Sequence, residues 1–331
     1  MLSIVIPLFN EEENIPKLYE RIVSASHTWN SAFEAILVDD GSTDRTLSLL
    51  RKLYQKDSRF KYISFSRNFG HQTAVSAGLR YTTGDVIAVM DADLQDPPEE
   101  LYRFLDKWRQ GYQVVYGVRT QRKENIFKRS AYYMFYRILA WCSSIKIPLD
   151  SGDFCIMDRT IVDWLNVMPE RNRFVRGLRS WIGYRQIGIP YERHKRFAGE
   201  VKYTFHKLLR LALDGMIDFS YRPLQVSGIF GLFICFFSLV SIVFFFLHRI
   251  LGFRVFGYSP QDVPGFTSLI LATLFLGGAQ LTTLGLFGEY LGRIFDEVKQ
   301  RPLYIVKEQD GFETKKEAYN TATLLPGDIR I

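Results

Sequence analysis

The sequence predicts an α/β domain built on a mainly parallel sheet, followed by interfacial helices and two transmembrane helices. Two observations carry this. Over the first ~120 residues short β-branched runs alternate with amphipathic stretches, the pattern of strands joined by crossover helices. Further along, 26 residues between Arg222 and Arg249, and another 26 between Asp262 and Glu289, contain no Asp, Glu, Lys or Arg. Each run exceeds the ~20 apolar residues that span a bilayer. With 331 residues, 47% hydrophobic and 23% charged, the chain has the length and composition of an ordered protein of about two domains. Its 27 Phe, 18 Tyr and 5 Trp exceed what a soluble core of this size needs.

The strands read from Ser3 to Pro7, Ala35 to Asp39, Tyr62 to Ser66, Val86 to Asp91 and Gln113 to Gly117. Helices start near Glu11, Thr43, Gln72 and Pro98. Thr43 follows Gly41 and Ser42, and the acids of PPEEL occupy a first turn, where the helix dipole favours them. The segment 124–147 and the juxtamembrane segment 201–222 mix bulky apolar residues with Lys and Arg, as helices in the headgroup layer do. For 124–147 an apolar stripe alone does not separate that reading from an ordinary core helix. The domain expectation is therefore an α/β unit over 1–200, an amphipathic helix over 201–222, spans near 226–248 and 266–288, and a cytoplasmic tail over 292–331.

Orientation follows from flanking charge. Lys195, Arg196, Lys202, Lys207, Arg210 and Arg222 precede the first span, and Arg293, Lys299, Arg301 and Lys307 follow the second, against Arg249 and Arg254 between them. The positive-inside rule puts both termini in the cytoplasm and the short loop outside. The net charge of +7 is concentrated beside the spans, which favours an anionic membrane surface over nucleic acid as partner. Cys142, Cys155 and Cys235 form no C-x-x-C pair, which argues against a zinc site or disulfide framework and fits a reducing compartment. The start, MLSIVIPLFNEEEN, has no basic n-region and breaks its apolar run at Pro7, so no signal peptide is expected there.

In a parallel sheet, ligands bind beyond the carboxyl ends of the strands. Asn10 and Glu11 follow the first strand, Asp39 and Asp40 end the second, Arg67 and Asn68 follow the third, and Asp91 and Asp93 follow the fourth. Each alone is a common turn or cap residue. Their recurrence at one edge marks a site. Asp91-Ala92-Asp93 closes an apolar strand so that two carboxylates project together, and Mg²⁺ characteristically takes one or two carboxylates plus substrate phosphates. Gln95 adds a polar contact beside them.

The segments IPLFNEEENI, VDDGSTD, SFSRNFGHQTAVSAGL, MDADLQDPPE and GVRT, in this order, resemble the family 2 glycosyltransferases with a GT-A nucleotide-sugar-binding fold. SGDFCIMDR, RFAGEVKYTFHKLLRLALDG and the two spans narrow the resemblance to the polyisoprenyl-phosphate type, similar to dolichol-phosphate mannose synthase and the bactoprenol glucosyltransferases. It covers about residues 1 to 300. The resemblance implies that Pro7, Phe9, Glu11, Asp39 or Asp40, and Arg67 hold the nucleotide sugar. It implies that Asp91, Asp93 and Gln95 hold Mg²⁺ or Mn²⁺, and that Arg119 and Arg129 grip the lipid phosphate. Arg196 and Lys202 then close on the donor diphosphate. Asp153 is the matching catalytic carboxylate, with Asp150 three residues away as its alternative. Relatives imply a homo-oligomer through the spans, where Gly277, Gly278 and Ala279 allow close packing.

The implied reaction is inverting transfer of a hexose, glucose from UDP-glucose first, to a polyisoprenyl (undecaprenyl) phosphate. GDP-mannose and UDP-N-acetylhexosamine are the alternative donors. A phosphate monoester with a second pKa of about 6 is mostly ionised at neutral pH and needs no strong base. A processive polysaccharide synthase would need a Q-x-x-R-W motif and more spans, and neither is present in the sequence. A non-catalytic sugar-nucleotide-binding module would not need the D-x-D pair. A dinucleotide dehydrogenase would need G-x-G-x-x-G after the first strand, which is absent.

Overall fold

The computed structural model describes residues 1–119, 151–192, 222–251 and 265–312. The strands are β1 (Leu2–Leu8), β2 (Phe33–Asp39), β3 (Phe60–Phe65), β4 (Val86–Val89), β5 (Val114–Arg119), β6 (Ser151–Asp158), β7 (Gln186–Tyr191) and β8 (Val306–Asp310). They form one sheet in the order β7-β5-β6-β4-β1-β2-β3-β8. The expected parallel centre is present, since β1 pairs in parallel with β2 and β4, and β2 with β3. Three strands were not foreseen. β6 runs antiparallel between β4 and β5, β7 lies parallel to β5, and β8 runs antiparallel on β3. The fourth strand stops at Val89 rather than Asp91, so the D-x-D pair lies just past the ladder.

Alternation along the strands supplies both faces of the sheet. On β1, Leu2, Ile4, Ile6 and Leu8 meet α1 (Ile15–Ser26) and α4 (Leu101–Arg109) in one buried cluster, which also takes Leu50 and Leu53 of α2 (Thr46–Lys56). On the opposite face Ile36, Val38, Ile63 and Phe65 meet Ala74 and Ala77 of α3 (His71–Arg80). Each Val, Leu, Ile or Phe side chain among them, fully buried, contributes roughly 1.5 to 3 kcal/mol of transfer free energy. Gly78 lets α3 approach the sheet, because a Cβ there would lie 2.3 Å from Val5 Cγ1. Two short helices, α5 (Arg159–Val167) and α6 (Val175–Ile182), follow β6.

The described chain divides into two units, the sheet domain with residues from Arg301 onward, and the long helices α7 (Arg222–Leu251) and α8 (Gly265–Val298). Both helices carry many exposed large apolar side chains, among them Leu232, Phe233, Phe236, Leu281 and Leu284. Among the described residues, however, no helix is long and apolar enough to cross a membrane. Side chains within the charge-free runs, Cys235 and Phe245 among them, lie outside the described ones. The expectation of two spans is therefore not supported by the described residues and rests on the sequence alone. The helical segment 124–147 and most of 201–222 also lie outside the described residues.

The segment expected to be a tail contains the edge strand β8. Arg51 grips Glu308 bidentately, at 2.6 and 2.5 Å, and the Tyr62 hydroxyl donates to Glu308 at 2.7 Å. Tyr304 stacks on Phe65 with ring centroids 4.9 Å apart, and Phe312 meets Tyr81 at 4.8 Å. The sequence hid this strand because VKEQD shows no apolar run; its partners are elsewhere in the chain. The Arg51 hydrogen bond is the main cause that lowers the Glu308 pKa from 4.5 to about 2. The stability it supplies is thus complete above pH 4.5 and is lost as pH falls towards 2. Denaturation of the full chain against pH should show wild type exceeding Glu308→Gln near neutrality, with the gap closing in acid. A gap that does not depend on pH would refute this role.

Candidate active site

The two ends of the sheet treat their buried acids differently. At the amino end, Glu34 accepts from Ser3 Oγ at 2.6 Å, Lys61 Nζ at 2.8 Å, and the Thr83 amide and hydroxyl at 2.8 Å each. Burial opposes its charge, but those donors prevail and its pKa is lowered. It is a satisfied structural anion. At the carboxyl end, Asp91 Oδ1 is buried without a hydrogen-bond partner. Burial, then the neighbouring carboxylates Asp96, Asp153 and Asp93, outweigh the His71 charge and raise the Asp91 pKa to about 6.

The β4–β6 register brings Asp153 to this place. Val89 pairs with Cys155 in the antiparallel ladder, so two residues further the β4 chain offers Asp91 and β6 offers Asp153. His71, at the start of α3, bridges them, with Nε2 3.3 Å from Asp153 Oδ2 and 3.7 Å from Asp91 Oδ1. Desolvation opposes charge on this ring, but the Asp153 hydrogen bond and the two acids raise its pKa to about 9. Gln72 Nε2 donates to Asp153 Oδ2 at 3.1 Å, while its Oε1 accepts the Val175 amide at 3.0 Å and so anchors α6. Arg176 Nη2 donates to Asp153 Oδ1 at 3.2 Å. Burial alone would raise the Asp153 pKa; Arg176 and His71 override it and hold the group far below the usual carboxylate range. Asp153 is a fixed anion, not a base tuned near pH 7.

Around this cluster the other predicted residues divide. Asp93 is buried and accepts the Gln95 amide at 3.1 Å, and between them Leu94 holds φ +59°, a strained value for a bulky side chain. Asp39 and Asp40 are buried and engaged in shaping loops. Asp39 accepts from the Ser42 amide at 3.0 Å and Ser64 Oγ at 2.7 Å, and Asp40 accepts the Phe69 and Gly70 amides at 2.7 and 2.9 Å. Gly41, at φ +69°, lets these loops meet, since a Cβ there would lie 2.4 Å from the Arg67 carbonyl carbon. Pro7 is buried in β1, Phe9 is exposed, and Glu11 accepts Asn14 Nδ2 at 2.5 Å. The exposed Arg67 lies over the Phe69 ring at 4.1 Å. Arg119 ends β5, with its side chain outside the described ones. Arg129, Asp150, Arg196 and Lys202 lie outside the described residues.

Sequence reasoning missed His71, Gln72 and Arg176. His71 and Gln72 follow the third strand and so obey the same edge rule as the acids. Arg176 and Arg179 interrupt an otherwise apolar helix at i and i+3, a spacing that shares one face. Neither signal names Asp153 as the partner.

The residues fit a divalent cation through the chemistry of the donors: hard carboxylate oxygens, one of them buried and unpartnered. Among the described residues, no group of three His, Cys, Asp or Glu side chains could hold a metal alone. One or two carboxylates completed by substrate phosphates is the arrangement characteristic of Mg²⁺.

The sequence pattern of glycosyl transferase family 2 matches residues 3–165. The chain is 44% identical, over 95% of both chains, to the uncharacterized glycosyltransferase YkcC of Bacillus subtilis (strain 168). It is 38% identical to the bactoprenol glucosyl transferase of Shigella phage SfX, over 93% of this chain and 99% of that one. A weaker structural likeness is to the mannosyltransferase PcManGT from Pyrobaculum calidifontis in complex with GDP-Man and Mn²⁺. There the TM-score is 0.44 at 19% identity, over 64% of this chain and 60% of the other.

Proposed function

This chain belongs to glycosyl transferase family 2 and is a glycosyltransferase, and from that premise we propose that it transfers glucose from UDP-glucose to a polyisoprenyl phosphate at the cytoplasmic membrane face, with inversion. The observation that carries the reading is the match to a bactoprenol glucosyl transferase over 309 residues. So few residues fall outside it that neither charge-free run can be wholly excluded. The acceptor's lipid tail then has a bilayer-seeking segment in the same chain.

In this reading a lipid phosphate oxygen forms a bond to C1 of the sugar as the bond from C1 to the nucleotide diphosphate breaks. The acceptor is already ionised, so no residue has to remove its proton. Asp153 fits the remaining task, because an anion fixed by Arg176, His71 and Gln72 orients the reacting groups and stabilises positive charge developing at C1. Asp91 and Asp93, with Gln95 beside them, would hold Mg²⁺ or Mn²⁺, which supplies stabilisation of charge on the departing diphosphate. Glu11, Pro7, Phe9 and Arg67 line the donor side, with Asp39 and Asp40 setting its loops. Arg119 and Arg129 act on the lipid phosphate, and Arg196 and Lys202 on the donor diphosphate.

We assign α7 and α8 as the two spans. At 30 and 34 residues and about 1.5 Å per residue they exceed the ~30 Å hydrocarbon core. A Cβ at Gly277 or Gly278 would meet nothing within 4 Å, which leaves room for a second copy. A cysteine introduced between Arg254 and Gln261 should be labelled from outside the membrane and one near Lys316 should not; the reverse pattern overturns the topology. The reaction is tested by a donor panel on purified full-length protein with undecaprenyl phosphate. Glucosyl lipid from UDP-glucose is expected. Turnover of GDP-mannose or UDP-N-acetylhexosamine instead would correct the sugar, and transfer from no donor would refute the lipid-phosphate reading.

A further inference from the structure

Three arginines in the sheet domain use the same edge of the guanidinium. Through Nε and Nη2, Arg21 holds Glu99, Arg51 holds Glu308, and Arg59 holds Asp57. In Arg179 that edge is buried and empty: Nε and Nη2 have no hydrogen-bond partner, and the residue is only 1% exposed. Among the described residues no acid pairs with it. The guanidinium carbon lies 5.4 Å from the centre of the Tyr116 ring, and burial raises the Cys155 thiol pKa against the pull of the Arg179 charge. One helical turn earlier on α6, Arg176 is matched to Asp153. On β6, Cys155 shares a face with Asp153 about 7 Å along the strand. The acid present at the first rung is therefore replaced by a thiol at the second, and Arg179 is left a buried cation whose two-pronged edge suits an oxyanion.

We propose that this edge of Arg179 is the seat of a phosphoryl group of a bound substrate, next to the Asp153 cluster. The inference rests on the lipid-phosphate glycosyltransfer reading, in which donor diphosphate and acceptor phosphate both supply such a group. Among the described residues no anion offsets this cation in the ligand-free fold, and a buried charge without such a partner opposes folding. A phosphoryl oxyanion supplies two acceptors for the two empty donors.

The test compares full-length wild type with Arg179→Met and Arg179→Lys in detergent micelles. It measures ligand-free melting, and calorimetric binding of UDP with Mg²⁺ and, separately, of undecaprenyl phosphate. Arg179→Met should melt at or above wild type while binding one of the probes at least about tenfold more weakly. The probe affected identifies the donor or the acceptor as the source. Arg179→Lys, which keeps charge but loses the fork, should fall between. Unchanged binding of both probes by Arg179→Met overturns the seat. So does a ligand-free melting point well below wild type, which would show that the fold itself uses the cation. If wild type binds neither probe, the substrate reading fails separately. Inorganic pyrophosphate then decides the seat, which stands if Arg179→Met weakens its binding and falls otherwise.

Discussion

Replacing Asp91 by Asn is expected to reduce turnover by on the order of 10² or more, because losing the half-buried carboxylate that would bind the metal forfeits several kcal/mol of transition-state stabilisation. The fold should tolerate the change. Burial and the nearby Asp96, Asp153 and Asp93 carboxylates already resist the Asp91 charge, raising its pKa to about 6, so at neutral pH the ionised group opposes folding. Ligand-free Asp91→Asn should therefore melt no lower than wild type. Initial rates, melting curves and a Mn²⁺ titration of both proteins check this together. Added Mn²⁺ should raise the melting point of wild type and not of the variant. Wild-type activity that persists in excess EDTA would remove the metal from the mechanism.

The second large effect is expected at Asp153, where stability and turnover should separate. Asp153→Asn leaves Arg176 and His71 facing each other without their shared anion. Breaking a fully buried pair costs roughly 3 to 5 kcal/mol; Arg176 keeps 28% of its side chain exposed, so solvent screening reduces the expectation to about 2 to 3 kcal/mol. Turnover should fall by on the order of 10², the scale of removing one preorganised electrostatic contact. Adding Arg176→Met removes the uncompensated cation. The double variant should regain most of the stability and none of the turnover, in denaturation and initial-rate measurements side by side. Recovery of activity with stability would reduce Asp153 to a structural ion pair.

The sequence by itself determined the parallel centre of the sheet and the edge at which the candidate site lies. Both depend on local patterns: β-branched runs broken by amphipathic stretches, and polar residues directly after each run. Asp91, Asp93 and Glu11 could be read as candidates because each directly follows its strand in the chain. It also determined the two charge-free runs, whose composition needs no partner to be recognised. Only the tertiary structure decided that Asp153 faces Asp91, since that meeting depends on the antiparallel pairing of β6 with β4, between segments more than sixty residues apart. The same holds for His71 and Gln72, which reach Asp153 from the start of a helix on another strand connection, and for Arg176, carried by α6. Asp39 and Asp40 show a mixed case. At the edge they read as ligand groups, and only folding shows that they also hold the Ser42, Ser64, Phe69 and Gly70 donors. VKEQD became an edge strand for the same reason: Arg51, Tyr62 and Phe65 lie more than two hundred residues away, and no local periodicity encodes a partner at that distance.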